Sequence, residues 1–359
     1  MAGNWLKDRL RRLFSNLRGI DAVLIANSDR ADPNFLYLTG FTSGLFEESL
    51  LIAVRDSVYV FTYSLEYQTA LDQRQSGIRV INIADDVKAA RSLLKRLIKG
   101  KRIGVNGSFI SFSTAAHLRK RYGPKRFADI SDKLTETRLI KDRDEIRKIR
   151  SAARITKTAM KRIGRYFKAG VTELQLAAQF DFIQMSLGAS GPSFGTIVCF
   201  GKNAAQPHHS PDNTKLRRGD FVLIDAGTKV SNYCSDITRT FVFGRRPSPK
   251  EEEMISIVKR AQHEAILAIR PGKRGNEIHN IAAKVIDTSA GGRYKGRFIH
   301  SLGHSVGLEV HDGPGFSTQK NIIRPGMVIT AEPGIYVPGF GGVRIEDDIL
   351  ITRKGYKIL

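Results

Sequence analysis

The sequence predicts an α/β protein in two domains, residues 1–132 and 133–359, and three observations lead there. A chain of 359 residues is longer than one ordinary hydrophobic core serves. From residue 20 to about 130, short apolar runs alternate with helical stretches. Beyond 140, two helix-rich stretches each precede strand-rich ones, as two α/β halves of one domain would.

The elements follow in order. Leu6, Leu10, Leu13, Phe14 and Leu17 recur at helical spacing on a basic segment, which predicts an amphipathic first helix packed on its own domain. Ala22–Ala26 and Leu50–Val54 read as short buried strands, and Ser57–Thr62 pairs with the second across an Arg55-Asp56 turn. Between them, Arg30–Phe41 reads as a strand-to-turn passage. Helices are expected near 64–75, 86–99 and 113–122. After the boundary, Ile146, Ile149, Ala153, Thr156 and Ala159 hold one helical face, with Asp142 or Asp144 as the N-terminal acid. A second helix follows Thr172 as its cap. A third runs from Pro249 to Ile269 and stops at Arg270-Pro-Gly, and a fourth spans Gly275–Thr288.

Composition narrows the function. Hydrophobic residues at 41% and aromatics at 8% suit a globular core. No apolar run approaches the roughly 18 residues of a membrane span. The N-terminus is basic but lacks the apolar stretch of a secretory signal. Cys199 and Cys234 form no metal-binding pattern, and cytoplasmic residence is expected. The net charge is +23, from 58 basic and 35 acidic residues. It reads as spread along the chain, without a helix-turn-helix, zinc finger or aromatic-interleaved stripe. A solvated basic surface is therefore expected rather than a nucleic-acid site.

Five side chains carry the chemistry. Asp225 ends the apolar run Phe221-Val-Leu-Ile-Asp, and Asp236 follows 11 positions later in Ser-Asp-Ile-Thr-Arg-Thr. A hairpin between them would set both carboxylates side by side. His304 lies between glycines in His300-Ser-Leu-Gly-His-Ser-Val-Gly-Leu-Glu-Val-His311. Glu332 and Glu346 each end an apolar strand, where a carboxylate is costly unless paired or coordinated. Four carboxylates and an imidazole suit two divalent ions, manganese or cobalt first, zinc or iron next.

On these residues, the C-terminal two thirds of the chain resembles the pita-bread metallopeptidases. That family comprises Xaa-Pro dipeptidases (prolidases), Xaa-Pro aminopeptidases, methionine aminopeptidases and creatinases. The resemblance implies a creatinase-like α/β domain followed by a pita-bread domain of pseudo-two-fold α/β halves, and a homodimer. It implies that Asp225 chelates one ion, that Asp236 and Glu346 bridge both, and that His304 and Glu332 complete the second. It makes His208, in the Pro-His phrase, the group facing the scissile carbonyl. His300, His311, Tyr336 and Arg344 become substrate-binding groups, while Thr238 and Thr330 support the ligands. Glu332 is the candidate proton acceptor.

The large N-terminal domain favours the Xaa-Pro branch, whose substrates are short proline-containing peptides. Prolidases of this type carry an arginine four residues after the pocket histidine. Here that position is Gly315, which leaves room for peptides longer than two residues. The alternative is a non-catalytic relative that binds RNA or a protein through its basic surface.

Overall fold

A computed structural model describes residues 5–15, 17–316 and 321–359. Residues 1–4 of the N-terminal segment read above as no secretory signal lie outside them. The chain forms two compact units, Met1–Arg138 and Leu139–Leu359.

The first unit is built around one six-stranded sheet. Helix α1 (Trp5–Ser15) buries Leu6, Leu10, Leu13 and Phe14, and Leu17 just beyond it is buried too, as the spacing predicts. Strand β1 (Ala22–Ala26) is buried along its whole length. The passage expected to be strand-to-turn is instead helix α2 (Pro33–Thr39). Asp32 caps it, Pro33 opens it with its missing N–H, and Gly40 at φ 70° closes it. Then come β2 (Leu50–Ala53), β3 (Val58–Thr62), α3 (Ser64–Gln73), β4 (Ile78–Asn82), α4 (Val87–Ile98), β5 (Arg102–Val105), α5 (Phe112–Tyr122), β6 (Arg126–Asp129) and α6 (Ser131–Leu139).

The sheet order is β4-β3-β2-β1-β5-β6, antiparallel at β3-β2-β1 and parallel elsewhere. The expected boundary at 132 falls inside α6. Most of that helix belongs to the first unit, since Thr137 accepts the Tyr37 hydroxyl at 3.3 Å and Arg138 donates to Asn34. The charge is also less evenly spread than the sequence reading held. Residues 87–126 carry 12 Lys or Arg and no Asp or Glu, and α4 and α5 display most of them to solvent.

The second unit begins with α7 (Arg143–Ile163), started by a capping box between Asp142 and Glu145. Helix α8 (Glu173–Ser186) starts with a second box, Thr172 with Gln175. Strands β7 (Gly191–Pro192), β8 (Ile197–Phe200), β9 (Phe221–Ala226), β10 (Thr228–Val230), β11 (Tyr233–Cys234) and β12 (Ile237–Val242) follow. Helices α9 (Pro249–Ala268) and α10 (Gly275–Thr288) come next. The chain finishes with β13 (Val328–Ala331), β14 (Gly334–Val337), β15 (Gly341–Arg344), β16 (Asp347–Ile351) and β17 (Tyr356–Ile358).

Strand β9 lies between β8 and β12 and has a core on each face. Val222 and Ile224 pack with α7 and α8, through Met160, Ile163, Leu176 and Phe180. Phe221 and Leu223 point the other way, into a core with α9, α10, Ile335 and Val343. Strand alternation puts Asp225 on that second face, at the end of the row. The connection to Asp236 is longer than a simple turn. Strands β10 and β11 pair with each other and turn at Ser231-Asn232, both at positive φ (48° and 69°), as a right-twisted two-residue hairpin demands.

Candidate active site

The five acidic and imidazole side chains converge within the second unit. β9 and β12 pair in antiparallel register with Thr238 opposite Asp225, so Asp236 emerges beside the end of β9. β13 pairs with β16, with Ala331 opposite Asp347, which brings Glu332 and Glu346 together at one end of that ladder. His304 is held from behind, where its backbone N–H donates to Thr330 Oγ1 at 3.0 Å. Gly303 permits this approach, because a Cβ there would meet Thr330 O at 2.3 Å. Asp236, His304 and Glu346 offer ligand atoms within 4.8 Å of one another. His304 Nε2 lies 3.5 Å from both Asp236 Oδ2 and Glu332 Oε1.

The carboxylates leave lone pairs unused. Asp225 Oδ1, Asp236 Oδ1 and Glu346 Oε1 are buried and accept no hydrogen bond among the described residues. Such atoms are expensive in a protein interior unless a cation satisfies them. Burial, then the neighbouring carboxylates, pushes Asp236 and Glu346 well above the usual range. Burial pushes Glu332 up to about 8. Burial and the nearby His311 hold His304 down at about 4, so its imidazole is neutral and free to ligate. The donor set therefore fits hard or borderline divalent ions, which would neutralise the charge and use the spare lone pairs.

The second ring of contacts is dense. Thr238 Oγ1 donates to Glu346 Oε2 at 2.6 Å, and Thr330 Oγ1 donates to Glu332 Oε1 at 3.3 Å. Arg344 is buried, and its donors are committed. Nη2 reaches Asp225 Oδ2 at 2.6 Å, Nε reaches Thr238 Oγ1 at 3.1 Å, and Nη1 reaches Tyr336 Oη at 3.0 Å. Arg344, expected to orient substrate, makes its bonds here to the acidic cluster and the groups around it. His300 donates from Nδ1 to Ser301 O at 2.8 Å and accepts the Tyr336 hydroxyl at Nε2, 2.7 Å away. Burial and the Arg344 charge lower His300 to about 4, which keeps it neutral in that role.

His304 and His311 stand with ring centres 4.1 Å apart. His208 and His311 are exposed; burial, then nearby His208, lowers the pKa of His311, while His208 adds to His300 only behind burial and Arg344. His311 thus flanks His304 on its solvent side.

Three groups escaped the sequence reading. Asp348 is buried beneath Asp236 and accepts its backbone N–H at 3.2 Å. The signal available was its place in the acidic run Glu346-Asp347-Asp348. Glu173 and His209 form a buried pair under the His208 loop, with Nε2 2.7 Å from Oε2. No spacing rule links residues so far apart.

Similarity to known proteins runs along the whole chain. Residues 147–353 match the model of metallopeptidase family M24, and residues 7–140 match the creatinase/prolidase N-terminal domain. An Xaa-Pro dipeptidase of Pyrococcus furiosus is 36% identical over 357 residues, covering 99% of this chain and 98% of that one. The crystal structure of the prolidase from Pyrococcus horikoshii OT3 superposes with a TM-score of 0.86 at 34% identity, covering 98% and 97% of the two chains. An X-Pro aminopeptidase from Thermotoga maritima superposes with a TM-score of 0.88 at 32% identity, covering 97% of each.

Proposed function

The chain belongs to metallopeptidase family M24, and from that premise we propose that it hydrolyses Xaa-Pro bonds at the N-terminus of dipeptides or short peptides. The observation that carries the reading is the set of buried, unpartnered oxygens on Asp225, Asp236 and Glu346 beside His304 and Glu332. Those five residues would hold two divalent ions, and the oxygen-rich set favours manganese or cobalt. Ions bound there supply Lewis acidity toward the scissile carbonyl and lower the pKa of an attacking water.

The protein's own groups do the rest. Glu332 takes the water's proton and delivers it to the leaving nitrogen, a task suited to a carboxyl whose affinity for protons burial has raised. His208 donates to the oxygen that becomes negative as the carbonyl turns tetrahedral, support worth roughly 3–4 kcal/mol in comparable sites. Arg344 keeps Asp225 aimed, and through Thr238 it steadies Glu346. His300, His311 and Tyr336 line the approach for the proline ring and the chain beyond it.

Gly315 bears on substrate length. A Cβ there would meet Gly303 O at 2.1 Å and His304 Cα at 3.0 Å, so this backbone holds no side chain at that position to grip a dipeptide's free carboxylate. Peptides longer than two residues are accommodated on this reading. Full-length similarity to Xaa-Pro peptidases does not favour the non-catalytic RNA-binding or partner-binding alternative. Among the described residues no helix is long and apolar enough to cross a membrane. The buried free thiols of Cys199 and Cys234 support cytoplasmic residence, and the resemblance supports a homodimer, which sedimentation would test.

The deciding experiment compares Ala-Pro with Ala-Pro-Ala, using metal-stripped protein reloaded with Mn²⁺ or Co²⁺. Metal-dependent turnover is expected, with the tripeptide cleaved at least as well as the dipeptide. Undiminished activity in metal-free Asp236→Ala protein would overturn the reading.

A further inference from the structure

A buried polar contact outside the acidic cluster lies beneath the loop that carries His208. Glu173, the first residue of α8, is fully buried, and its carboxylate gathers one loop at four points. Oε1 accepts the Phe200 backbone N–H at 2.6 Å and Asn203 Nδ2 at 3.0 Å. Oε2 accepts the Asp212 backbone N–H at 3.1 Å and His209 Nε2 at 2.7 Å. Asn203 also donates to Thr214 Oγ1 at 3.2 Å, which closes the far end of the loop.

Glu173, His209 and Asp212 are close enough to suggest a second metal centre. The hydrogen bonds argue against one. A carboxylate offers about four lone-pair directions, and here four donors occupy them. Cation binding would have to strip those donors away. The arrangement is that of an anchor.

What it anchors is specific. His208 is exposed and makes no hydrogen bond of its own among the described residues, so nothing on its ring fixes its aim. The adjoining side chain does. Of the two neighbouring histidines, His209 points inward, has only 10% of its side chain exposed, and ends on Glu173. We infer that the Glu173–His209 pair is a positioning element that aims His208 at the reacting carbonyl. This rests on the reading of His208 given above. The donor on His209 must be the Nε2–H, and its distance from the backbone sets the height of the loop.

The test compares two polar replacements of His209 and repeats the shorter one in a His208→Ala background. The amide of Gln reaches the place of Nε2, whereas that of Asn stops short. His209→Gln is expected to stay within about threefold of the parent kcat. His209→Asn should lose about tenfold to a hundredfold in kcat, the cost of a misplaced catalytic group. KM and bound metal should be unchanged in both. In a His208→Ala background, His209→Asn should cause no further loss of kcat, because it acts through the residue already removed.

An equal loss from His209→Asn in both backgrounds, or loss of metal, would overturn the inference and leave only a structural role. So would failure of His209→Gln to fold. Should His208→Ala itself leave turnover intact, the catalytic reading of His208 would fall first, and the positioning role with it.

Discussion

Arg344 and Gly315 show how single residues set this site. Arg344 spans Asp225, Thr238 and Tyr336 with three nitrogens of one rigid plane, a geometry that lysine cannot copy. Arg344→Lys is expected to keep the charge yet lower metal affinity and turnover by roughly ten- to a hundredfold, as loss of such supporting contacts does. Metal titration followed by peptide hydrolysis would measure both, and an unchanged metal affinity would contradict it. Gly315→Arg is expected to fail as a route to a strict dipeptidase. Its side chain must displace the Gly303 carbonyl, which holds the His304 loop by accepting the Phe316 N–H at 2.8 Å. Overpacking of this kind costs about 1–3 kcal/mol, and activity on both peptide lengths should fall. Improved turnover of Ala-Pro alone would refute the steric argument. Asp225, Glu332 and Glu346 stood out in the sequence because each ends an apolar strand, where a carboxylate is conspicuous, whereas Asp236 was found by its spacing from Asp225. The sequence hid the contacts of Arg344, Glu173 and Asp348, because a hydrogen bond between distant positions has no periodicity to read.

Elements were legible where local chemistry is strong. Helix α8 begins at its expected cap Thr172, α9 at the expected Pro249, and α7 at Asp142, one of the two acids expected there. α2 was missed. At seven residues it is too short to show a 3.6-residue pattern, and its signals are the Asp32-Pro33 start and the Gly40 stop. The Asp225–Asp236 connection was read as one turn, because strands β10 and β11 of three and two residues carry almost no alternation. Caps make a clean prediction at this scale. Ser248 accepts the Glu251 N–H, and Glu251 accepts the Ser248 N–H in return while pairing with Arg245 at 2.6 Å. Ser248→Ala should cost about 1 kcal/mol of stability. The cap is remote from the acidic cluster in sequence and role, so kcat should not change. A matching loss of turnover in a thermal-melt and kinetics comparison would tie α9 to catalysis in a way this geometry does not.

For the whole molecule, the acidic cluster makes stability depend on metal and on pH together. In metal-stripped protein, burial raises Glu332 and Asp348 to about 8, and burial with mutual repulsion raises Asp236 and Glu346. In the unfolded chain these carboxyls titrate near their ordinary value of about 4. The folded form therefore holds protons that the unfolded form has released. That contribution is complete below about pH 4 and is lost as pH rises toward 8. Stripped protein is thus expected to melt at progressively lower temperature between about pH 5 and 8. Divalent ions should reverse the trend, since they bind the ionised carboxylates of the folded form and add about 2.7 kcal/mol at a hundredfold excess over Kd. Melting curves at pH 5.5 and 8, with chelator or with Mn²⁺, separate the two contributions. The gain from Mn²⁺ should be larger at pH 8, because at pH 5.5 protons compete for the same oxygens. Equal gains at both values would mean that the carboxylates are already ionised without metal, held by Arg344 and the surrounding hydroxyls alone.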